Sequence, residues 1–127
     1  MRRNVLIIFS IAILAGVAGA CGSSYGSSNM PSFTPIPAGP NTVLAPNGAY
    51  LGPGSGFTPS TLTVAAGTTV TFGNNDVTAH TTTADGGQWN SNNLNSGQTF
   101  SVKLDVPGTY KYHCSIHSFM NGTIVVQ

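Results

Sequence analysis

Three side chains near the C-terminus define the chemistry open to this chain. Cys114, His117 and Met120 follow at intervals of three in the stretch Tyr112-His113-Cys114-Ser115-Ile116-His117-Ser118-Phe119-Met120. A thiol, an imidazole and a thioether this close together are what a soft, redox-active metal asks for. A further candidate, His80, lies 34 positions before Cys114. Taken singly, each is weak: a lone histidine is commonly a surface residue, and a lone methionine commonly fills core space. Cys-x-x-His-x-x-Met together with one upstream histidine is a specific pattern.

The donor types narrow the metal. One thiolate, two imidazoles and a weak thioether make up the trigonal His2Cys set with a long axial Met that suits copper. Zinc is the competitor, since it accepts Cys and His, but it usually takes four strong ligands and has little use for a thioether. Calcium and magnesium need oxygen donors. The chain has only Asp76, Asp85 and Asp105 as acidic residues, and no Glu.

Short strands must position these groups. On a strand, Tyr110, Tyr112 and Cys114 share one face, and His113 points the other way as a surface residue. Residues 61–64 and 69–72 alternate apolar residues with Thr, and residues 98–105 put Phe100, Val102 and Leu104 on one side. Residues 123–126 close the chain as a strand. Pro46-Asn47-Gly48 between two apolar triplets, 43–45 and 49–51, predicts a hairpin. Asn74-Asn75-Asp76 reads as a turn before His80. Residues 84–97 are Gly- and Asn-rich and read as loop, with Trp89 as an aromatic plug. Helical periodicity is not found. The expectation is an all-β fold, a Greek-key sandwich or barrel over residues 42–127, with no substantial helix outside the N-terminal segment.

The remaining residues read as export and tethering. Residues 1–20 combine Arg2 and Arg3, an apolar run and a small-residue end at Ala18-Gly19-Ala20, the shape of an export signal peptide. The run is shorter than a spanning helix wants, and Gly16 and Gly19 weaken it further. Cys21 follows directly and resembles the lipid-attachment cysteine of bacterial lipoproteins, although Ala18 stands where that pattern usually has Leu. Acylation there would anchor the protein stably. The expected location is periplasmic or at the outer cell surface, tethered to a membrane through Cys21. Residues 21–41 are a flexible Gly/Ser/Pro linker. Loss of residues 1–20 removes both arginines and leaves Lys103 and Lys111 against three Asp, a net charge of −1. With no basic patch, nucleic acid is excluded as a partner class. A Cys21–Cys114 disulfide is the competing use of the two cysteines, and it would consume the best metal ligand.

Two further stretches carry a family resemblance. Gly67-Thr68-Thr69-Val70-Thr71-Phe72-Gly73-Asn74 and Pro107-Gly108-Thr109-Tyr110-Lys111-Tyr112-His113-Cys114 resemble the strands that approach the ligands in cupredoxins, the plastocyanin, pseudoazurin and amicyanin type of blue-copper protein. The resemblance covers residues 43–127. It implies one type 1 copper ion with His80, Cys114 and His117 as equatorial ligands and Met120 as the axial one. It implies a monomeric carrier of single electrons between a redox donor and acceptor, docking through Ser118 and Phe119 beside His117. Thr81, Ser115 and Ile116 are expected around the ligands. Thr81 stands where many members have Asn. Ile116 stands where many have Pro, and it keeps an N–H that Pro lacks. Aimed at the Cys114 sulfur, that N–H would favour Cu(I). The resemblance does not extend to multicopper oxidases, which place His on both sides of the cysteine; here Ser115 follows Cys114 and the chain has three histidines. An enzyme is therefore not expected. The alternatives are a copper-binding or buffering protein without a carrier role and a metal-free β-sandwich interaction domain.

Overall fold

Alternation of apolar and Thr residues produces strands that are buried on one side, and these strands pack as two sheets. The computed structural model describes residues 33–127. Seven strands occur among them: β1 (Thr42–Ala45), β2 (Thr61–Val64), β3 (Thr68–Asn74), β4 (Thr83–Ala84), β5 (Thr99–Leu104), β6 (Gly108–His113) and β7 (Asn121–Val126). One sheet has the order β1-β3-β5, the other β2-β7-β6-β4. β1 runs parallel to β3 and β2 parallel to β7; the other pairs are antiparallel. The expected all-β sandwich is present, and no helix occurs among the described residues. The export signal at 1–20, Cys21 and the linker up to residue 32 lie outside the described residues.

The inward positions follow the alternation. Val70 and Phe72 of β3 are fully buried, and Thr71 on the outer face bonds Ser101 across the register at 2.9 Å. Tyr112 of β6 is the hub of the core. Its ring lies 5.1 Å from Phe57, 5.2 Å from Phe72 and 6.0 Å from Trp89, close enough for favourable tilted aromatic contact. Gly122 faces Tyr112 on β7, and a Cβ there would run into the tyrosine ring and hydroxyl. Trp89, in the long loop after β4, is the plug its composition predicts, buried against Phe72.

The hairpin predicted around Pro46-Asn47-Gly48 does not form. β1 pairs instead with β3, Val43 opposite Phe72. After Ala45 the chain makes consecutive turns, with Ala49 N–H donating to Pro46 O and Leu51 N–H to Gly48 O. A two-residue hairpin of the Asn-Gly type needs positive φ at both central residues, and here Gly48 has it (φ 85°) while Asn47 does not. Ala49 is buried, and the N–H groups of Gly48 and Tyr50 point to the Asp76 carboxylate rather than to a partner strand.

The chain before β1 lies along the domain. The Asn75 side chain accepts the Ile36 N–H at 2.8 Å and donates to the Ile36 carbonyl at 2.9 Å, as a paired strand would. Ile36 packs over Gly73, where a Cβ would come within 2.8 Å of Ile36 Cδ1.

Candidate metal centre

Each ligand candidate arrives on a different local device. β6 pairs with β7 up to His113 opposite Asn121, so Cys114 leaves the sheet with its side chain on the same inner face as Tyr112. The following loop closes on itself: Met120 N–H donates to His117 O at 2.9 Å, and Cys114 N–H donates to Met120 O at 3.0 Å. His117 and Met120 are thereby brought back beside Cys114. Met120 is completely buried. His80 comes from the segment after β3 and is held by a two-way backbone bridge with Leu94, at 3.1 and 2.8 Å. Asn74, also fully buried, stiffens this segment by donating to Thr78 O and Leu94 O, both at 2.8 Å.

The donor atoms converge. Cys114 Sγ lies 3.8 Å from His80 Nδ1 and 3.7 Å from His117 Nδ1, and the two nitrogens are 3.1 Å apart. A point equidistant from the three lies about 2.1 Å from each, which is a metal–ligand length (roughly 2.0–2.1 Å for imidazole nitrogen and 2.3 Å for thiolate on zinc). These three side chains form the one metal-capable His/Cys/Asp/Glu group among the described residues. The third histidine, His113, faces away and pairs with Asp85 at 2.6 Å on the surface.

The surroundings favour a charged, ligating sulfur. Cys114 is unbridged and has no exposed surface. Burial pushes its thiol up, but the hydrogen bond to His80 and the N–H groups of Thr81, His117 and Ile116 outweigh this and draw it down to about 5. The Thr81 N–H is the direct donor to Sγ, at 3.4 Å. The Thr81 hydroxyl accepts the Ser115 N–H at 2.7 Å, so it joins the two ligand-bearing segments. The Ser115 hydroxyl in turn bonds Thr83 at 3.2 Å. Burial pulls His80 down, but its bonds to Cys114 and Asp76 raise it above the usual histidine range.

Asp76 is the feature that sequence reasoning missed. It looks like a turn residue, yet it is completely buried and its Oδ2 lies 2.9 Å from His80 Nε2. Burial pushes its carboxyl up; the bond from His80 and the Gly48 and Val77 N–H groups hold it below its usual value. The available signal was that one of only three acidic residues stands four positions before the candidate ligand.

The rim is partly apolar. His117 is half-buried, and the Phe119 ring lies 6.0 Å from it while also packing on the core. Ile116 is 47% exposed and Ser118 is exposed.

Comparison with known proteins agrees with this geometry. The cupredoxin-like domain family model matches residues 53–126. Amicyanin-alpha of Methylorubrum extorquens is 56% identical over 34 residues, covering 27% of this chain and 29% of that protein. The chloroplastic plastocyanin of Pisum sativum is 39% identical over 77 residues, covering 50% of this chain and 46% of that protein. The chain thus spans less than half the length of each of these two relatives. Among solved structures, a purple cupredoxin from Nitrosopumilus maritimus superposes with a TM-score of 0.63 at 32% identity, covering 68% of this chain and 98% of that one.

Proposed function

The chain belongs to the cupredoxin family, and from that premise we propose that it carries single electrons between redox proteins outside the cytoplasm. Its cofactor is one type 1 copper ion, which when bound supplies a one-electron Cu(I)/Cu(II) couple. We propose that His80, Cys114 and His117 would hold the ion, with Met120 as a weaker fourth donor. The observation that carries this reading is the convergence of two imidazole nitrogens and one thiolate on a point at bonding distance from all three.

The residues around the site hold and insulate the ligands. The Leu94 bridge and the Asn74 bonds fix the His80 segment, and the Cys114–Met120 and His117–Met120 bonds fix the loop. A frame this constrained costs little reorganisation when charge changes at its centre. The Thr81–Ser115 bond keeps the two segments in step. The Ile116 N–H lies among the groups that stabilise the thiolate, which supports its proposed role in favouring the reduced state. Cys114 and Met120 are closed to water, whereas His117 is half-buried. An electron therefore leaves through the His117 ring, with Phe119, Ser118 and Ile116 as the small docking surface around it.

The reading is of a carrier rather than an enzyme; in its support, His113 is engaged by Asp85 on the far face of β6. We further propose export by residues 1–20, tethering through Cys21 in the periplasm or at the outer cell surface, and a monomeric state. Stopped-flow mixing of the copper-loaded chain with a small redox mediator tests the function. Fast, fully reversible one-electron exchange without oxygen consumption is expected. Exchange that is slow, or that consumes oxygen, would refute it.

A further inference from the structure

Asp76 is the one acidic residue without exposed surface among the described residues. Burying a carboxylate is expensive unless its oxygens are satisfied. Here both are. Oδ1 accepts the Val77 N–H at 2.8 Å and the Gly48 N–H at 3.1 Å; Oδ2 accepts the Tyr50 N–H at 3.2 Å and the His80 Nε2–H at 2.9 Å. The Asp76 N–H itself donates to Asn74 Oδ1 at 2.8 Å. Two of the four donors come from the turn at residues 46–50, which replaces the hairpin expected there.

This arrangement determines one thing about the metal centre. An ionised carboxylate can only accept. In the neutral ring the proton on His80 is therefore at Nε2, and the lone pair is at Nδ1, the atom 3.8 Å from Cys114 Sγ and 3.1 Å from His117 Nδ1. Rotating the imidazole by half a turn would lose the bond to Asp76 and turn a ring carbon, Cδ2, towards the site in place of Nδ1. Carboxylates behind metal-ligating histidines generally orient the ring and raise its basicity.

We propose that Asp76 is a positioning residue for the copper centre: it locks the tautomer and ring orientation of His80, and its buried negative charge strengthens Nδ1 as a donor to Cu(II) over Cu(I). The proposal rests on the carrier reading for its redox part only. The residues 46–50 turn belongs to the same device, because it holds the carboxylate in place by two backbone bonds.

Two measurements decide it. In the copper-free chain, at a pH high enough to leave the His80 ring neutral, two-bond proton–nitrogen NMR correlations should place its single proton at Nε2; a neutral ring with its proton at Nδ1 overturns the proposal. In the copper-loaded chain, Asp76→Asn should lower the ratio of Cu(II) to Cu(I) affinity at least tenfold, a rise in reduction potential of about 59 mV for a one-electron couple. Asp105→Asn makes the same charge change at an exposed site paired with Lys103 and should leave the ratio within twofold. An Asp76→Asn ratio also within twofold overturns the proposal. Should Asp76→Asn not fold, the wild-type tautomer still decides whether Asp76 sets the ring. That tautomer is read without metal, so a wild-type chain that formed no blue centre would refute the carrier reading separately.

Discussion

The two histidines of the centre are held in opposite ways. His80 is 1% exposed, bonded at Nε2 to a buried carboxylate and bridged through its backbone to Leu94. His117 is half-buried in a short loop, with the aromatic ring of Phe119 beside it. Both present Nδ1 to the same point. The difference separates two demands on an electron carrier. Geometry has to be kept from the inside, by a ligand that cannot move. Access has to be given from the outside, by a ligand whose far edge meets the partner.

Substitution tests that division most severely. His80→Ala removes the one side-chain donor to the Asp76 carboxylate among the described residues and empties a core site, so a loss of about 3–5 kcal/mol of stability is expected. His117→Ala should cost no more than about 1 kcal/mol. Urea unfolding of the copper-free variants measures both. Added imidazole should restore colour to His117→Ala, whose gap opens to solvent, and not to His80→Ala. Equal destabilisation, or rescue of both, would erase the distinction.

The thiol responds to the same asymmetry. In the copper-free chain Cys114 should ionise at about 5, against an ordinary value of 9.0. The folded value is the lower one, so ionisation adds stability that is complete above the unfolded value and is lost as pH falls from 9 towards 5. The gap in melting temperature between wild type and Cys114→Ser should shrink over that range. His80→Ala should move the thiol titration, followed by ultraviolet thiolate absorbance, upwards. His117→Ala keeps its backbone N–H and should move it little. A wild-type titration near 9 would contradict this.

Smaller effects are expected on the outer side. Ile116→Pro removes one N–H from the thiolate's surroundings. At about 1 kcal/mol for one such bond, the potential should fall by roughly 40 mV; an unchanged or higher potential in voltammetry would exclude that role. Phe119→Ala should slow electron self-exchange several-fold and leave the visible spectrum in place. An unchanged rate would assign Phe119 to core packing alone.

The sequence made one half of this centre far more legible than the other. Cys114, His117 and Met120 lie in one loop, so their spacing alone shows that they can meet. The strands around them alternate cleanly, and Tyr110, Tyr112 and Cys114 share a face as period two requires. His80 stood out only as the histidine left once His113 points away, and nothing in its own surroundings showed that it reaches the loop. Its support was invisible because the partners are distant: Gly48 and Tyr50 lie 28 and 26 positions from Asp76. Local composition made residues 74–76 a turn and residues 43–51 a hairpin. In the folded chain the buried carboxylate gathers the Gly48 and Tyr50 N–H groups, and Asn75 clasps Ile36, 39 positions away. Such exchanges between distant segments leave no periodic trace in the sequence.

The most direct test is a Cu(II) titration of the full chain followed by visible absorption. One equivalent of Cu(II) should produce an intense charge-transfer band from the Cys114 thiolate. The band should be absent in Cys114→Ser, and it should be lost in His80→Ala even with imidazole present. Colourless binding of the metal, or a band that survives in Cys114→Ser, would contradict a copper centre built on these side chains.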